Sequence, residues 1–237
     1  VAEVVELPPG RRTWLYSVMP YYEGELLETR LKRAPVSLAE GVDIGIKLAK
    51  AVYTLNRARI IHRDIKPENV MLRDGGLKLL DLGVARLPGL DGDNVVGVPG
   101  TPSYMAPELF TGARGDERSD VYALGVTLYR VFSAGYYPYG EIEPFMRPRF
   151  ARRTPLVRHR PDLPAWLDDV LARATAVEPD QRHADAMELA FALENGMARG
   201  AQIVVRRLSL YERNPLRFWQ VVAALLALTL FLVLIFD

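Results

Sequence analysis

Eight consecutive residues, His62-Arg-Asp-Ile-Lys-Pro-Glu-Asn69, constrain this chain more than any other segment. They pack charged and amide side chains between short apolar pieces, Ile60-Ile61 before and Val70-Met71-Leu72 after. That alternation, continued through Gly75-Gly76 and Leu77 to Leu80, reads as short strands joined by polar loops. Asp81-Leu-Gly83 begins twelve residues after Asn69, and Gly100-Thr-Pro-Ser-Tyr-Met-Ala-Pro-Glu108 follows it. Any one of these runs would pass for a turn. Together, in this order and at these spacings, they are far more specific than any one of them.

The segments around them set the architecture. Residues 1–22 are β-rich: Val1 to Leu7 and Thr13 to Met19 flank Pro8-Pro9-Gly10, which predicts a hairpin. Glu25 to Lys32 and Ser37 to Ala58 carry helical spacing. Ser37 with Glu40 has the form of a capping box, and Val42, Ile46, Ala49, Val52 and Tyr53 share one face. Residues 87–103 are rich in Gly, Pro and Asp without a period and read as a loop. From Asp116 to Asn195 the pattern is mostly helical, interrupted at 135–164, with amphipathic helices over Pro164 to Ala176 and Ala184 to Glu194. No internal repeat is present.

Composition excludes several classes. A charged fraction of 25% and a hydrophobic fraction of 49% are those of a globular chain. The formal net charge of +1 provides no electrostatic footprint for nucleic acid. With no cysteine, disulfides and Cys-based zinc sites cannot form.

The ordered set of three motifs resembles the protein kinase superfamily over roughly residues 1–195. The resemblance implies an α+β, two-lobed protein-kinase-like fold. Residues 1–22 would be the end of the small lobe and the hinge, and 23–196 the helical large lobe. It also implies ATP and Mg²⁺ (or Mn²⁺) as cofactors and a protein Ser or Thr hydroxyl as acceptor. Phosphoryl transfer spreads negative charge over the γ-phosphoryl oxygens, so positioning and charge stabilisation dominate. By place in the motif, Asp64 would accept the hydroxyl proton, Lys66 would put a cation near the transferred phosphate, and Thr101 would bond near both. By the same resemblance, Asn69 and Asp81 would supply the hard oxygen ligands that suit Mg²⁺. Gly83 would let the chain turn sharply after the metal ligand.

The same resemblance assigns architectural roles. His62 would be a packed structural histidine bonded to backbone, and Arg63 the arginine that grips a phosphate or a substitute for one. Glu108 would pair with Arg182, a distant helical arginine, and Asp120 would start a buried helix and hold the catalytic-loop backbone. In Val18-Met-Pro-Tyr-Tyr22, Met19 would be the gatekeeper, while the Pro20 carbonyl and the Tyr22 N–H would bond the adenine edge. Met71 would lie beneath that ring.

Some features depart from the pattern. Leu82 replaces the signature phenylalanine, and residues 82–100 hold no Ser, Thr or Tyr; either Asp91 or Asp93 gives Arg63 a permanent partner, or the two aspartates form a solvated turn. The Gly-rich loop, the strand lysine and the helix glutamate of an active kinase cannot be placed. With Val1 in place of Met, this suggests an N-terminally truncated piece, inactive by itself.

Residues 197–217 read as a basic joint, and Phe218 to Phe236 as a transmembrane helix with only Gln220 and Thr229 polar. Its 19 residues would span roughly 28 Å, close to a bilayer core. Arg206, Arg207, Arg213 and Arg217 on its N-terminal side point to a single-pass inner-membrane protein with the folded part in the cytoplasm. Asn214-Pro-Leu-Arg-Phe-Trp-Gln220 resembles the end of bacterial fusions that carry a metal-dependent phosphatase ahead of the kinase. Two other readings compete with the enzyme: a membrane-tethered pseudokinase scaffold, and a small-molecule kinase of the same superfamily. Gly100 to Glu108 argues against the second, since that segment builds a peptide-docking platform.

Overall fold

A computed structural model describes residues 21–86, 100–143, 146, 148–199 and 218–223. The predicted hairpin in 1–20, the loop over 87–99 and most of the predicted anchor lie outside these residues. Residues 218–223 are helical, and among the described residues no helix is long and apolar enough to cross a membrane.

The described elements in chain order are β1 (Glu25–Leu26), α1 (Leu27–Arg33), α2 (Leu38–Arg57), β2 (Val70–Arg73), β3 (Gly76–Leu79), α3 (Glu117–Ser133), α4 (Ala165–Ala174) and α5 (Ala186–Ala198). The three strands form one antiparallel sheet in the order β1-β2-β3, with Leu26 opposite Met71 and Leu72 opposite Leu77. Glu25 and Leu26 are therefore strand rather than the start of a helix, because they pair along β2. The helix begins only at Leu27, whose side chain is fully buried.

Helix α3 is the axle of the molecule. Almost every side chain from Ser119 to Ser133 is buried, so it carries no polar stripe and is packed on all sides. Asp116 caps it by accepting from the backbone N–H of Arg118 (2.9 Å) and Ser119 (3.2 Å), while Ser119 Oγ accepts from the Asp116 N–H (3.2 Å). This is a complete capping box. At α2, Ser37 Oγ accepts from the Glu40 N–H (3.2 Å), but the Glu40 carboxylate does not reach back. It is held instead by Arg30 through Nε (2.8 Å) and Nη2 (2.7 Å).

Helices α2, α3 and α5 meet where side chains are absent. A Cβ on Gly41 would stand 2.4 Å from the Phe132 ring, and one on Gly45 3.0 Å from Leu193 and 3.2 Å from Leu128. Glycine at these two positions lets the helix axes close. The main core gathers Leu48, Val52, Leu124, Leu128, Leu167, Leu171, Leu189 and Leu193. A second cluster, Tyr104, Met105, Leu109, Tyr122 and Val126, fixes the end of the 100–108 segment to the other face of α3.

Candidate active site

The loop between α2 and β2 is held from below by one side chain. Asp120, fully buried in the first turn of α3, accepts from the backbone N–H groups of His62 (2.9 Å) and Arg63 (3.0 Å) and from Asn56 Nδ2 (2.9 Å). Burial pushes its carboxyl up, and the N–H groups of Arg63, His62 and Asn56 oppose that shift. Thr127, two turns further along α3, donates to the Ile65 carbonyl (3.0 Å). His62 is buried, and among the described residues its ring bonds to backbone: its Nδ1 accepts from the Asp64 N–H (3.3 Å) and its Nε2 lies 3.1 Å from the Leu80 carbonyl. Together these contacts set the tautomer, with the proton on Nε2. Arg63 sits at φ 67°, the left-handed turn that swings the loop outward.

On this base Asp64 is gripped from three directions. Its Oδ1 accepts from the Thr101 N–H (3.1 Å) and the Thr101 hydroxyl (2.8 Å). Its Oδ2 accepts from Asn69 Nδ2 (2.9 Å) and lies 2.7 Å from Lys66 Nζ. Lys66 Nζ also donates to Thr101 Oγ1 (2.7 Å), which completes a bonded group of four side chains. Burial alone would raise the Asp64 carboxyl. The bonds from Lys66, Thr101 and Asn69 and the lysine charge outweigh it and hold the group below the usual carboxylate range. Asp64 therefore stands ionised beside a cation, with its lone pairs directed.

Asn69 directs its amide hydrogens to Asp64, to Oδ2 and to the backbone carbonyl (2.8 Å), so its Oδ1 remains as the acceptor it can offer. The Leu80 N–H donates to the Asn69 carbonyl (2.8 Å), and the Leu80 carbonyl faces His62. Asp81, the next residue, is thereby tethered to the same loop. Further on, the antiparallel bridge between Ile61 and Arg86 keeps the two segments side by side. Asp81 is exposed, and its Oδ1 accepts from the Gly83 N–H (2.9 Å). The left-handed residue of this turn is Asp81 itself (φ 61°) rather than Gly83. Gly83 contributes closeness: a Cβ there would meet Asp81 Oδ1 at 3.0 Å.

The second constellation is a clamp. Arg182 Nη1 and Nη2 donate to the two oxygens of Glu108 at 2.8 and 2.7 Å, a bidentate pair. The remaining guanidinium hydrogens go to the carbonyls of Ala176 (2.8 Å), Val177 (2.8 Å) and Arg118 (3.0 Å), and the group lies over the Tyr122 ring. Arg182 is extended and follows a short 3₁₀ turn at Pro179–Gln181, so it is not a helical arginine. Ser119 donates a further bond to Glu108 (2.8 Å) and ties the clamp to the cap of α3.

Residues 5–189 match the model of the protein kinase domain. The chain belongs to the protein kinase family. It is similar to the serine/threonine-protein kinase PknK of Mycobacterium bovis, with 36% identity over 197 residues, 80% of this chain and 17% of the relative. It is also similar to PknB of Mycolicibacterium smegmatis, with 32% identity over 182 residues, 73% of this chain and 29% of the relative. A third relative is the probable serine/threonine-protein kinase CPE1738 of Clostridium perfringens, with 30% identity, 76% of this chain and 27% of the relative. The kinase chain thus spans less than a third of the length of these relatives.

In kinase terms, the structure brings Asp64, Lys66, Asn69 and Thr101 into one bonded group and carries Asp81 on the adjoining strand end. Of the hinge residues, Met19 and Pro20 lie outside the described residues, and so do Asp91 and Asp93. The Tyr22 ring sits 3.5 Å from Lys78 Nζ, and the Met71 side chain packs at Gly24. Arg63 donates to the Arg114 carbonyl. Sequence reasoning missed the contacts of Asn56, which belongs to no motif, and of Ser119, because their partners Asp120 and Glu108 lie 64 and 11 positions away. It also missed Arg130, which donates to the Tyr104 hydroxyl and lies over the Tyr137 ring.

Proposed function

We propose that this chain carries the catalytic loop of a serine/threonine protein kinase that moves the γ-phosphoryl group of ATP to a Ser or Thr hydroxyl of a protein. The observation that supports it best is the Asp64 carboxylate, kept ionised and aimed by Lys66, Thr101 and Asn69. Asp64 orients the acceptor hydroxyl and takes its proton, and Lys66 presents its ammonium to the transferred group. Among the described residues no cluster of three His, Asp or Glu side chains forms a cage for a metal ion. The free face of Asn69 and the exposed Asp81 carboxylate instead suit an ion that draws its other ligands from phosphates and water, as Mg²⁺ does. Such an ion, when bound with ATP, neutralises charge on the phosphates. Pro20 and Tyr22 would hold the adenine edge, beside Met19 and above Met71.

Transfer also calls for a Gly-rich loop and a strand lysine. Neither is recognisable in this sequence, so the 237 residues alone are proposed to be inactive and the activity to belong to a protein that supplies both. The apolar run 218–236 is proposed as a single-pass anchor in the inner membrane, with the kinase on the cytoplasmic side. Its support is the length of that run and the arginines before it.

The test is transfer of radiolabelled phosphate from ATP to a general protein substrate by the whole protein, followed by phosphoamino-acid analysis. Label on Ser and Thr is expected, falling roughly 10²- to 10⁴-fold in Asp64→Asn. ATP binding without any label would make the protein a pseudokinase scaffold, and label on small molecules alone would make it a kinase of that kind.

A further inference from the structure

Between Glu143 and Asp162 the sequence holds six arginines, at 147, 149, 152, 153, 158 and 160, and no acidic residue. Two of them turn inward as structural ties: Arg153 pairs with Asp168 and Arg160 with Asp162, each at 2.7 Å. Arg149, Arg152 and Arg158 are exposed, and among the described residues none of the three has an ion-pair partner. These three cations lie within ten residues of one another on a segment without an acidic residue, and Arg158 lines the groove described next, so the segment offers positive charge to an acidic partner.

Beside it lies an aromatic shelf. The Tyr136 ring stacks on the His159 ring, with centroids 4.1 Å apart and planes 9° from parallel, and Tyr136 remains 57% exposed. These two residues, with Tyr137, Thr154, Arg158 and the single acidic side chain Glu141, line one groove. The groove leads to the 100–108 segment: Tyr137 meets Tyr104 edge to face at 5.6 Å. The arginine-rich segment is also anchored beneath that segment. Phe150 packs on Phe110 and Tyr122, and the Ile142 N–H donates to Ser103 Oγ (2.8 Å).

We propose that Arg149, Arg152, Arg158 and the Tyr136–His159 shelf form a docking surface for an acidic, aromatic-containing segment of the protein substrate, remote from its phosphoacceptor residue. This rests on the kinase reading, under which Gly100 to Glu108 is the expected platform on which a peptide substrate lies. Tyr104 is buried beneath that floor and meets the half-buried Tyr137, so a polypeptide leaving the floor would pass Tyr137 and reach the shelf and Arg158. Charge complementarity of this kind acts mainly on encounter and is weakened by salt. The aromatic stack supplies a planar, partly apolar surface for a Tyr or Phe side chain.

The experiment is fluorescence anisotropy of a labelled random Glu-Tyr copolymer titrated with the 237-residue chain, which needs no phosphoryl transfer. Binding is expected to weaken at least ten-fold between about 50 and about 300 mM NaCl, as screening shortens the reach of the arginine charges. The triple variant R149Q/R152Q/R158Q is expected to lose it, with an unchanged melting temperature, since these side chains are exposed and unpaired. Tyr136→Ala is expected to weaken binding and leave its salt dependence intact. Equal binding by the triple variant and the parent would overturn the proposal. So would binding of anionic phosphatidylglycerol vesicles through these arginines in preference to the copolymer. Absent copolymer binding with phosphate transfer intact sinks the docking surface alone, whereas absent transfer with copolymer binding intact sinks the kinase reading alone.

Discussion

At the scale of residues, the chemistry depends on one charge held where burial disfavours it. Asp64 is buried, and burial works against a carboxylate. Lys66 is the strongest counterweight, through both its bond and its charge. Replacing Lys66 by Met removes both contributions, so the Asp64 carboxyl rises. The acid limb of the kcat/KM profile is then expected to move to higher pH, while kcat falls roughly 10²- to 10³-fold. An acid limb that stays in place would show that Asp64 is not the group titrating. The role of Thr101 also belongs to this scale, because its hydroxyl both donates to Asp64 and accepts from Lys66.

At the scale of elements, two contacts carry more weight than their neighbours. The first is the crossing of α2 and α3, where Gly41 faces the fully buried Phe132 ring. Gly41→Ala places a methyl group inside that ring's contact distance, and overpacking of this kind costs about 1–3 kcal/mol. Urea unfolding should report that loss in spite of alanine's higher helix propensity. The second is the Glu108–Arg182 clamp, whose guanidinium is completely shielded from solvent. Arg182→Met leaves Glu108 half-buried without its partner and three carbonyls without their donor, so a loss of roughly 3–5 kcal/mol is expected. Replacing both residues by apolar ones should recover part of it, and a double-mutant cycle separates the contributions.

At the scale of the whole molecule, three of the more buried groups, His183, Glu108 and Asp64, make stability depend on acidity in the same direction. Asp120, whose carboxyl burial raises, works against them. Burial lowers the His183 pKa below its ordinary 6.5, since the charged ring is disfavoured inside. The unfolded chain then binds the proton first, so stability is present above 6.5 and declines as the pH falls below it. Burial opposes but Arg182 outweighs it at Glu108, and Lys66 does the same at Asp64, so both carboxyls sit below their ordinary values of 4.5 and 3.8. Their contributions are lost in turn at lower pH. Thermal melting is expected to fall from pH 6.5 downward and more steeply below 4.5. In His183→Gln the upper part of that decline should flatten, and an unaltered decline would place its origin elsewhere.

The sequence determined what depends on neighbours along the chain: the amphipathic helices α2, α4 and α5, the β2–β3 hairpin about Gly75, and the motifs that place Asp64, Lys66, Asn69 and Asp81 in order. Local spacing and side-chain chemistry are enough for these, because helix periodicity, turn residues and a bonded octapeptide are short-range properties. Only the tertiary structure decided that Asp120 and Asn56 meet across 64 positions, that Ser119 joins a cap to the Glu108–Arg182 clamp, and that Glu25 and Leu26 pair as strand. It also decided that the tight backbone beyond Leu80 falls on Asp81 rather than on Gly83. Such facts depend on which buried polar groups must find partners once the helices have closed around α3, and no stretch of sequence carries that requirement by itself.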